Sequence, residues 1–397
     1  MYVMAKPIGS ACNLRCHYCY YLEKEKLSPS PSQMMSDEVL ELFIREYIKS
    51  QTTLEVLFTW HGGEPLLRPI SFYERVLELQ QRYAGSRRIA NAIQTNGTLL
   101  TDEWCEFLRK NNFLVGISID GPQHLHDALR HNHSGEGTFK DVMRGLRLLA
   151  KHKVEWNAMA TVNSANVGHP LEFYRFFRDD LECQFLQFTP VVERTLHHTN
   201  GTLLAHAGER EGIVTPHSVT AEAWGEFLCT IFDEWIRNDV GKIFIQLFDS
   251  TLANWVGQPP GVCTMSKYCG HAAIIEHNGD VYSCDHFVFP EYRLGNLKES
   301  SLSDMMYGPE QSRFGIAKHS TLPSQCLNCE YEFVCHGECP RNRFLTAPNG
   351  EAGLNYLCQG YHQFFTHAAP YMDYMRKMLQ SHQPPARVME WAKGSLY

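Results

Sequence analysis

The sequence predicts an α/β protein with a parallel sheet, followed by a smaller cysteine-rich domain. Between residues 36 and 247, strand-like apolar runs alternate with amphipathic helical patterns, as in repeated β–α units. Several predicted strands end in glycine-containing turns, at the edge where parallel-sheet enzymes bind their ligands. Beyond about residue 258 the alternation stops and cysteines become dense, so a domain boundary is expected there.

The individual elements follow from periodicity and capping residues. Ser36 and Thr101 are predicted to cap helices, and further helices are expected through residues 72–83 and 138–152. Six strands are predicted, at 54–60, 89–95, 113–120, 154–162, 185–192 and 243–248. The segment 195–220 is rich in His, Gly and Thr and interrupts the alternation, so a loop insertion is expected there.

Composition narrows the class of protein. The 397 residues carry a net charge of −8, which argues against a nucleic-acid partner. No apolar run is long enough to span a membrane, and the first residues lack the apolar segment of a signal peptide. A cytoplasmic location is therefore expected. Fourteen cysteines in a reducing compartment then favour metal or redox chemistry over disulfides.

The strongest local signal is the spacing Cys12-x3-Cys16-x2-Cys19 near the N-terminus. Three thiolates on one short loop can hold three irons of a cubane cluster and leave the fourth iron open to a small molecule. A zinc knuckle completed by His17 is the main alternative. A dithiol redox pair fits less well, because it gives the third cysteine no role.

The segment CNLRCHYC resembles the signature of radical S-adenosylmethionine (AdoMet) enzymes, which implies a partial (β/α)6 TIM-type barrel over residues 1–257. In that family the open iron binds AdoMet, whose cleavage gives a 5′-deoxyadenosyl radical. By the same resemblance, the residues expected to contact AdoMet are Tyr18, Gly63 in GGEP (62–65), Ser118, Arg130 and Leu186.

Each of these AdoMet contacts has a structural alternative. GGEP is also compatible with a simple turn, and Ser118 with a hydrogen-bonded strand hydroxyl. Leu186 is compatible with a core leucine and Arg130 with a surface arginine. His61 departs from the pattern, because close relatives commonly carry Gln before the glycine pair; the neighbouring substrate contacts are therefore left open.

The eight late cysteines fall between residues 263 and 358 and divide into two full sets of four ligands. Two structural zinc sites are the alternative, since spacing alone does not choose between zinc and iron. The pattern resembles the SPASM domain, here 258–365, with a C-terminal helix and tail at 366–397. The resemblance implies two auxiliary 4Fe–4S clusters, one on Cys263, Cys269, Cys284 and Cys339 and the other on Cys326, Cys329, Cys335 and Cys358. Cys105, Cys183 and Cys229 are interpreted as buried structural thiols.

The whole chain resembles the anaerobic sulfatase-maturating enzymes, through stretches such as WHGGEPLL, IQTNGTLL and VYSCDHFVFPEYRLGN. These enzymes oxidise a Cys or Ser of a sulfatase to Cα-formylglycine. The resemblance implies Asp285 as the base, three 4Fe–4S clusters with AdoMet, and auxiliary clusters that accept an electron. A solvated aspartate is the alternative for Asp285, and Gln94 and Tyr21 are equally compatible with peptide contact or packing.

Partners and competing functions follow from the same resemblance. A sulfatase polypeptide is the expected substrate, and a flavodoxin or ferredoxin the expected electron donor. A SPASM enzyme that forms thioether or carbon–carbon links in a peptide is the second hypothesis, because it would carry the same cysteines. A non-catalytic zinc scaffold is the third.

Overall fold

The computed structural model describes residues 1–21, 24, 34–198, 201–205, 209 and 211–394. The chain divides into two compact units. The first comprises Met1–Ile119, Asp127–Trp156 and Cys269–Ile316, and the second comprises Asp120–His126, Asn157–Tyr268 and Ala317–Tyr397. Every helix in the described part of the chain is too short or too polar to cross a lipid bilayer.

The first unit is built on a mixed sheet whose centre is parallel. Its strands, in spatial order, are Phe113–Ser118, Arg88–Thr95, Glu55–Trp60, Tyr2–Ala5, Ala272–Ile275, Asp280–Tyr282 and Arg293–Asn296. The first five run parallel to their neighbours, and the last two add an antiparallel hairpin. The N-terminal strand was not predicted from the sequence. It lies next to Ala272–Ile275 and thereby brings the start of the chain to the late cysteines of this unit.

The helices of the first unit confirm the capping predictions. They are Asp37–Ser50, Ile70–Tyr83, Asp102–Lys110, Phe139–His152 and Leu302–Tyr307, with Pro309–Ser320 beginning in this unit. Ser36 accepts from the Val39 amide, and Thr101 accepts from the Trp104 amide, so each caps its helix. Against the sheet these helices bury an aromatic core around Trp60, whose indole donates to Asn91.

The second unit carries three further sheet strands and a helical layer. The strands are Trp156–Val162, of which Trp156 itself is counted in the first unit, Phe185–Pro190 and Phe244–Ile245, and each pairs in parallel with the next. The helices are Gln123–His126, Pro170–Arg175, Phe176–Asp180, Ala221–Asn238, Gln246–Trp255, Ser324–Leu327, Glu332–Cys335, Cys358–Gln380 and Val388–Gly394. A short hairpin, Leu345–Thr346 with Ala352–Leu354, precedes the long helix.

Two sequence predictions are wrong in this unit. The segment 243–248 was expected to be a strand, but only Phe244–Ile245 pairs and a helix begins at Gln246. Leu247, Thr251 and Trp255 are buried at helical spacing, a period that a short apolar window cannot distinguish from a strand. The segment 195–220 was expected to be a loop, yet Arg194–His198, Gly201–Leu204 and Ile213–Val214 form a small antiparallel sheet. Residues 199–200, 206–208 and 210 lie outside the described part.

Candidate active site

The N-terminal cysteine loop is anchored by backbone hydrogen bonds within the first unit. The amides of Arg15 and His17 donate to the carbonyls of His131 and Leu129 at 2.8 and 2.9 Å. The His17 ring lies against His131, with 3.1 Å between nitrogens. His17 therefore has a partner other than the thiols, which does not favour the zinc-knuckle alternative.

The three thiols on this loop fit a metal-binding site. The Leu14 amide lies 3.4 Å and the Asn96 side-chain amide 3.9 Å from the Cys12 sulfur. The pKa of Cys12 is raised to about 12, mainly by burial and less by the charges of Glu64, Cys16 and Cys19, against the Leu14 amide. Three thiolates on one loop repel one another, and a bound metal centre, such as the iron of a cluster, would supply the compensating positive charge.

The GGEP turn connects this loop to the ends of two neighbouring strands. The Gly63 and Glu64 amides donate to the carbonyls of Gly9 and Ala11 at 2.8 and 2.9 Å. A Cβ on Gly63 would lie 1.9 Å from the Ala11 carbonyl oxygen, so only glycine fits there. The fully buried Glu64 carboxylate accepts from the Thr95 hydroxyl at 2.7 Å and from the Asn96 amide at 2.8 Å.

The other sequence-predicted AdoMet residues occupy different environments. The Arg130 guanidinium lies 5.6 Å from the centre of the Tyr18 ring, and Arg130 is buried, which rules out a surface arginine. The Ser118 hydroxyl accepts from the Gln94 amide at 3.1 Å. Leu186 belongs to the second unit, where it is buried on a strand, as its structural alternative also predicts.

Asp285 lies in a cluster of polar side chains that the sequence did not reveal. The ammonium of Lys6, which is completely buried, lies 2.6 Å from Oδ1, and the Tyr20 hydroxyl donates to Oδ2 at 2.5 Å. Among the described residues Lys6 is the partner of Oδ1, and this oxygen keeps a further lone pair that can accept a proton. The carboxylate is therefore held in place with one oxygen able to accept a proton, and it is not a solvated aspartate.

The Asp285 carboxylate stays negatively charged although it is buried. Burial is the largest single effect and would raise the pKa of Asp285, but several opposing effects, of which the charge of Lys6 is the largest, together outweigh it. The net effect holds the pKa of Asp285 well below its usual value. Lys6 directly follows an apolar strand, and a lysine at the carboxyl end of a parallel strand is the signal by which sequence reasoning could have found it.

Tyr21 and Gln94 are compatible, from the sequence, with either peptide contact or packing. The Tyr21 hydroxyl donates to Glu276, and its ring face receives the Lys6 ammonium 4.4 Å from the centroid. Tyr21 is 4% exposed, so it is a buried member of this polar cluster. Gln94 packs its amide against Gly116 and donates to Ser118. Both residues are engaged within the protein, in agreement with the packing interpretation.

The late cysteines are divided between the units. All fourteen cysteines of the chain lie in described positions, and none is in a disulfide. Cys269 and Cys284 belong to the first unit, and Cys263 and Cys339 to the second. The second unit also holds Cys326, Cys329, Cys335 and Cys358.

The last four thiols influence one another electrostatically, as ligands of one cluster would. The pKa of Cys335 is raised to about 12, mainly by burial, with a contribution from the charges of Cys358 and Cys326. Burial likewise raises the pKa of Cys358 to about 11, together with Cys326 and Cys329. A bound metal centre would compensate the negative charge of four such thiolates.

Two of the three remaining cysteines agree with the prediction of a buried structural thiol. Cys105 and Cys183 are buried, as predicted. Cys229 is half-buried, so the prediction of a buried thiol is wrong there; it lies near the edge of the apolar face of helix Ala221–Asn238.

Comparison with known proteins decides the family. The radical SAM superfamily profile matches residues 7–177, and that of an iron–sulfur cluster-binding domain, SPASM, matches 263–330. A serine-type anaerobic sulfatase-maturating enzyme of Bacteroides thetaiotaomicron is 59% identical over 100% of this chain and 96% of its own. The chain belongs to the anaerobic sulfatase-maturating enzyme family. It is a radical SAM enzyme of sulfatase maturation, with an α/β radical SAM domain and a SPASM domain, as the sequence predicted.

Other sulfatase-maturating enzymes agree with this placement. A cysteine-type enzyme of Clostridium perfringens is 32% identical over 93% of this chain and 96% of its own. The solved structure of anSMEcpe with bound AdoMet and Cp18Cys peptide has a TM-score of 0.83 at 30% identity, covering 95% of this chain and 99% of that one. Streptococcus suis SuiB, at 15% identity and a TM-score of 0.60, shares the fold alone. The crosslinking alternative is therefore not favoured.

Proposed function

We propose that this enzyme is a serine-type sulfatase maturase, which oxidises the target serine of a sulfatase to Cα-formylglycine. The observation that carries this choice is the 59% identity over the full chain to a serine-type enzyme. Cysteine-type relatives match at 32% and 30%. The peptide bound to anSMEcpe supports a polypeptide substrate for this chain as well.

The proposed cofactors are AdoMet and three 4Fe–4S clusters. Cys12, Cys16 and Cys19 would hold the AdoMet-binding cluster, and the two late sets would hold auxiliary clusters, with Cys263, Cys269, Cys284 and Cys339 in one and Cys326, Cys329, Cys335 and Cys358 in the other. AdoMet would contact Tyr18, Gly63, Ser118, Arg130 and Leu186. The clustered thiols have raised pKa values, so they would become thiolates only when a cation binds to them. This need for a cation supports these assignments.

The chain's own residues account for the proton in this oxidation. When bound, AdoMet and the cluster on Cys12, Cys16 and Cys19 would supply the radical that removes a hydrogen atom from the serine Cβ, and the auxiliary clusters would take up the electron left behind. Asp285 would accept the hydroxyl proton on Oδ1, which contacts Lys6 and keeps a second lone pair. Lys6 and Tyr20 would keep that carboxylate charged and oriented. Removal of one hydrogen atom, one proton and one electron converts CH–OH to an aldehyde.

Domain limits, partners and location complete the proposal. A catalytic domain at 1–257, a SPASM domain at 258–365 and a C-terminal helix and tail at 366–397 remain our proposed division. A flavodoxin or ferredoxin would donate electrons, and nucleic acid and membranes would not be partners. The cytoplasm is the proposed location, because thiols stay reduced there.

Anaerobic purification followed by metal analysis and a peptide assay tests this proposal. We expect about twelve irons per chain and little zinc. A sulfatase peptide with the target serine should lose two hydrogens and then react with a hydrazide probe for aldehydes. Asp285→Asn is the matched variant: it should still cleave AdoMet but form far less aldehyde. A colourless zinc protein, or cleavage of AdoMet without aldehyde in the wild type, would contradict the proposal.

A further inference from the structure

His61, the residue before the glycine pair, has one ring nitrogen that accepts hydrogen bonds from two sides. Its Nδ1 lies 2.7 Å from the Gly62 amide and 3.2 Å from the Lys6 ammonium. Both of these groups are donors only. A ring nitrogen that accepts from two donors carries no proton, so the proton of the neutral imidazole lies on Nε2.

Lys6 fixes this arrangement because its ammonium is fully occupied. The side chain is completely buried, and its charge faces the Asp285 carboxylate, the His61 ring and the face of Tyr21. An ammonium offers three N–H donors, and these three partners account for them. The proposed base and the imidazole are therefore held by the same cation, next to each other.

The imidazole stays neutral near neutral pH. The pKa of His61 is lowered to about 3, mainly by burial and next by the charge of Lys6, against smaller opposite effects of Asp285 and the Gly62 amide. Nε2–H is thus a neutral donor rather than an acid. Among the described residues Nε2 has no hydrogen-bond partner, and the His61 side chain is half-buried rather than enclosed.

We propose that the Nε2–H of His61 donates a hydrogen bond to the hydroxyl oxygen of the target serine and makes the enzyme selective for serine over cysteine. This inference rests on the proposed function. A serine hydroxyl has one hydrogen to give and lone pairs that accept, so it can donate to Asp285 while it accepts from His61. A thiol sulfur is a weak acceptor and gains little from the same donor.

Two substitutions of His61 test the roles of its two ring nitrogens separately. In His61→Asn the side-chain oxygen can replace Nδ1 as acceptor for Lys6 and Gly62, but nothing reaches the position of Nε2. In His61→Gln the longer side chain places an amide N–H where Nε2–H was. The assay offers equal amounts of two peptides that differ only in Ser or Cys at the target, in one reaction. Because both peptides compete for the same enzyme, inactive or cluster-deficient protein cancels from the product ratio.

The expected result is a change in selectivity. His61→Asn should lower the Ser-to-Cys ratio of aldehyde formed by about tenfold, the loss of one hydrogen bond to a substrate hydroxyl. It should also raise the 5′-deoxyadenosine formed per aldehyde with the serine peptide, because a poorly held substrate leaves AdoMet cleavage uncoupled. His61→Gln should keep the ratio within about threefold of the wild type. If His61→Asn is recovered without its clusters, His61→Met, which cannot donate, takes its place.

An unchanged Ser-to-Cys ratio in His61→Asn, or equal losses with both peptides, would overturn the inference while leaving the proposed function intact. A wild-type enzyme that forms aldehyde only from the cysteine peptide would overturn both the assignment as serine-type and the role of His61. A wild-type enzyme that forms no aldehyde from either peptide would overturn the maturase proposal itself, and the inference with it.

Discussion

The substitution Gly63→Ala tests how closely the GGEP turn packs against the N-terminal cysteine loop. The added Cβ would lie 1.9 Å from the Ala11 carbonyl oxygen, 2.4 Å from its carbonyl carbon and 2.6 Å from the Ser10 carbonyl oxygen. All three are backbone atoms, so no side chain can rotate away. Ala11 immediately precedes Cys12, and the displacement would therefore be transmitted to the proposed cluster ligands.

The magnitude follows from the distance that must be recovered. Ordinary contact begins near 3.4 Å, so the two backbone segments must separate by roughly 1.5 Å. Overpacking of this kind costs about 1–3 kcal/mol, and the separation also breaks the hydrogen bonds from Gly63 to Gly9 and from Glu64 to Ala11, at about 1 kcal/mol each. We expect a total loss of about 3–5 kcal/mol, a large part of the stability of a typical domain.

Anaerobic thermal unfolding and AdoMet titration measure this effect. A loss of that size should lower the unfolding midpoint by about 6 °C or more, together with weaker AdoMet binding and lower iron content. Gly168→Ala is the control: Gly168 is exposed with no heavy atom within 4 Å of a Cβ, so this variant should behave like the wild type. A Gly63→Ala protein with the wild-type midpoint and AdoMet affinity would show that the packing argument is wrong.

Three further predictions concern other buried groups. Burial raises the pKa of Glu64 to about 7, so its stabilising contribution, complete below pH 4.5, is lost as the pH rises from 4.5 to 7; Glu64→Gln should remove most of this pH dependence of about 3 kcal/mol, seen in melting midpoints between pH 4 and 8. In Gly145→Ala the new Cβ lies 2.3 Å from the Gly97 carbonyl oxygen, which should outweigh the better helix propensity of alanine, about 1 kcal/mol, and lower the midpoint. Arg343 donates to the backbone carbonyls of residues 336–338, beside two cluster cysteines, and Arg343→Lys should speed the loss of iron to a chelator, since one ammonium cannot reach all of them.

The elements that the sequence predicted well are those with local signals. The caps Ser36 and Thr101 begin helices as expected, because a side-chain hydroxyl satisfies an amide within the same turn. The strands at 54–60 and 89–95 agree with Glu55–Trp60 and Arg88–Thr95 to within one residue at each end. Each of these signals lies within a few residues of the feature that it predicts. The segment 243–248 failed because its helical period becomes visible only when Thr251 and Trp255 are included.

The sequence predicted those parts of the candidate site that belong to recognisable motifs. The cysteine spacing and the resemblance around Cys284 pointed to Asp285, but they gave no information about what holds its carboxylate. Lys6 reaches Asp285 only because strand Tyr2–Ala5 pairs in parallel with strand Ala272–Ile275, two segments at opposite ends of the first unit's sequence. A pairing between segments so distant in sequence leaves no local pattern that a single sequence can reveal.

That pairing also explains why a buried lysine is tolerated in this position. An isolated ammonium in the core would cost several kcal/mol, and most lysines in such a place would lose their proton. Lys6 is instead surrounded by a carboxylate, an imidazole nitrogen and an aromatic face, so each donor has a partner and the charge is balanced. Removal of any one partner leaves the others with an unbalanced charge or an unsatisfied donor. Lys6, His61 and Asp285 therefore act as one unit, and substitutions in them should be strongly non-additive when they are combined.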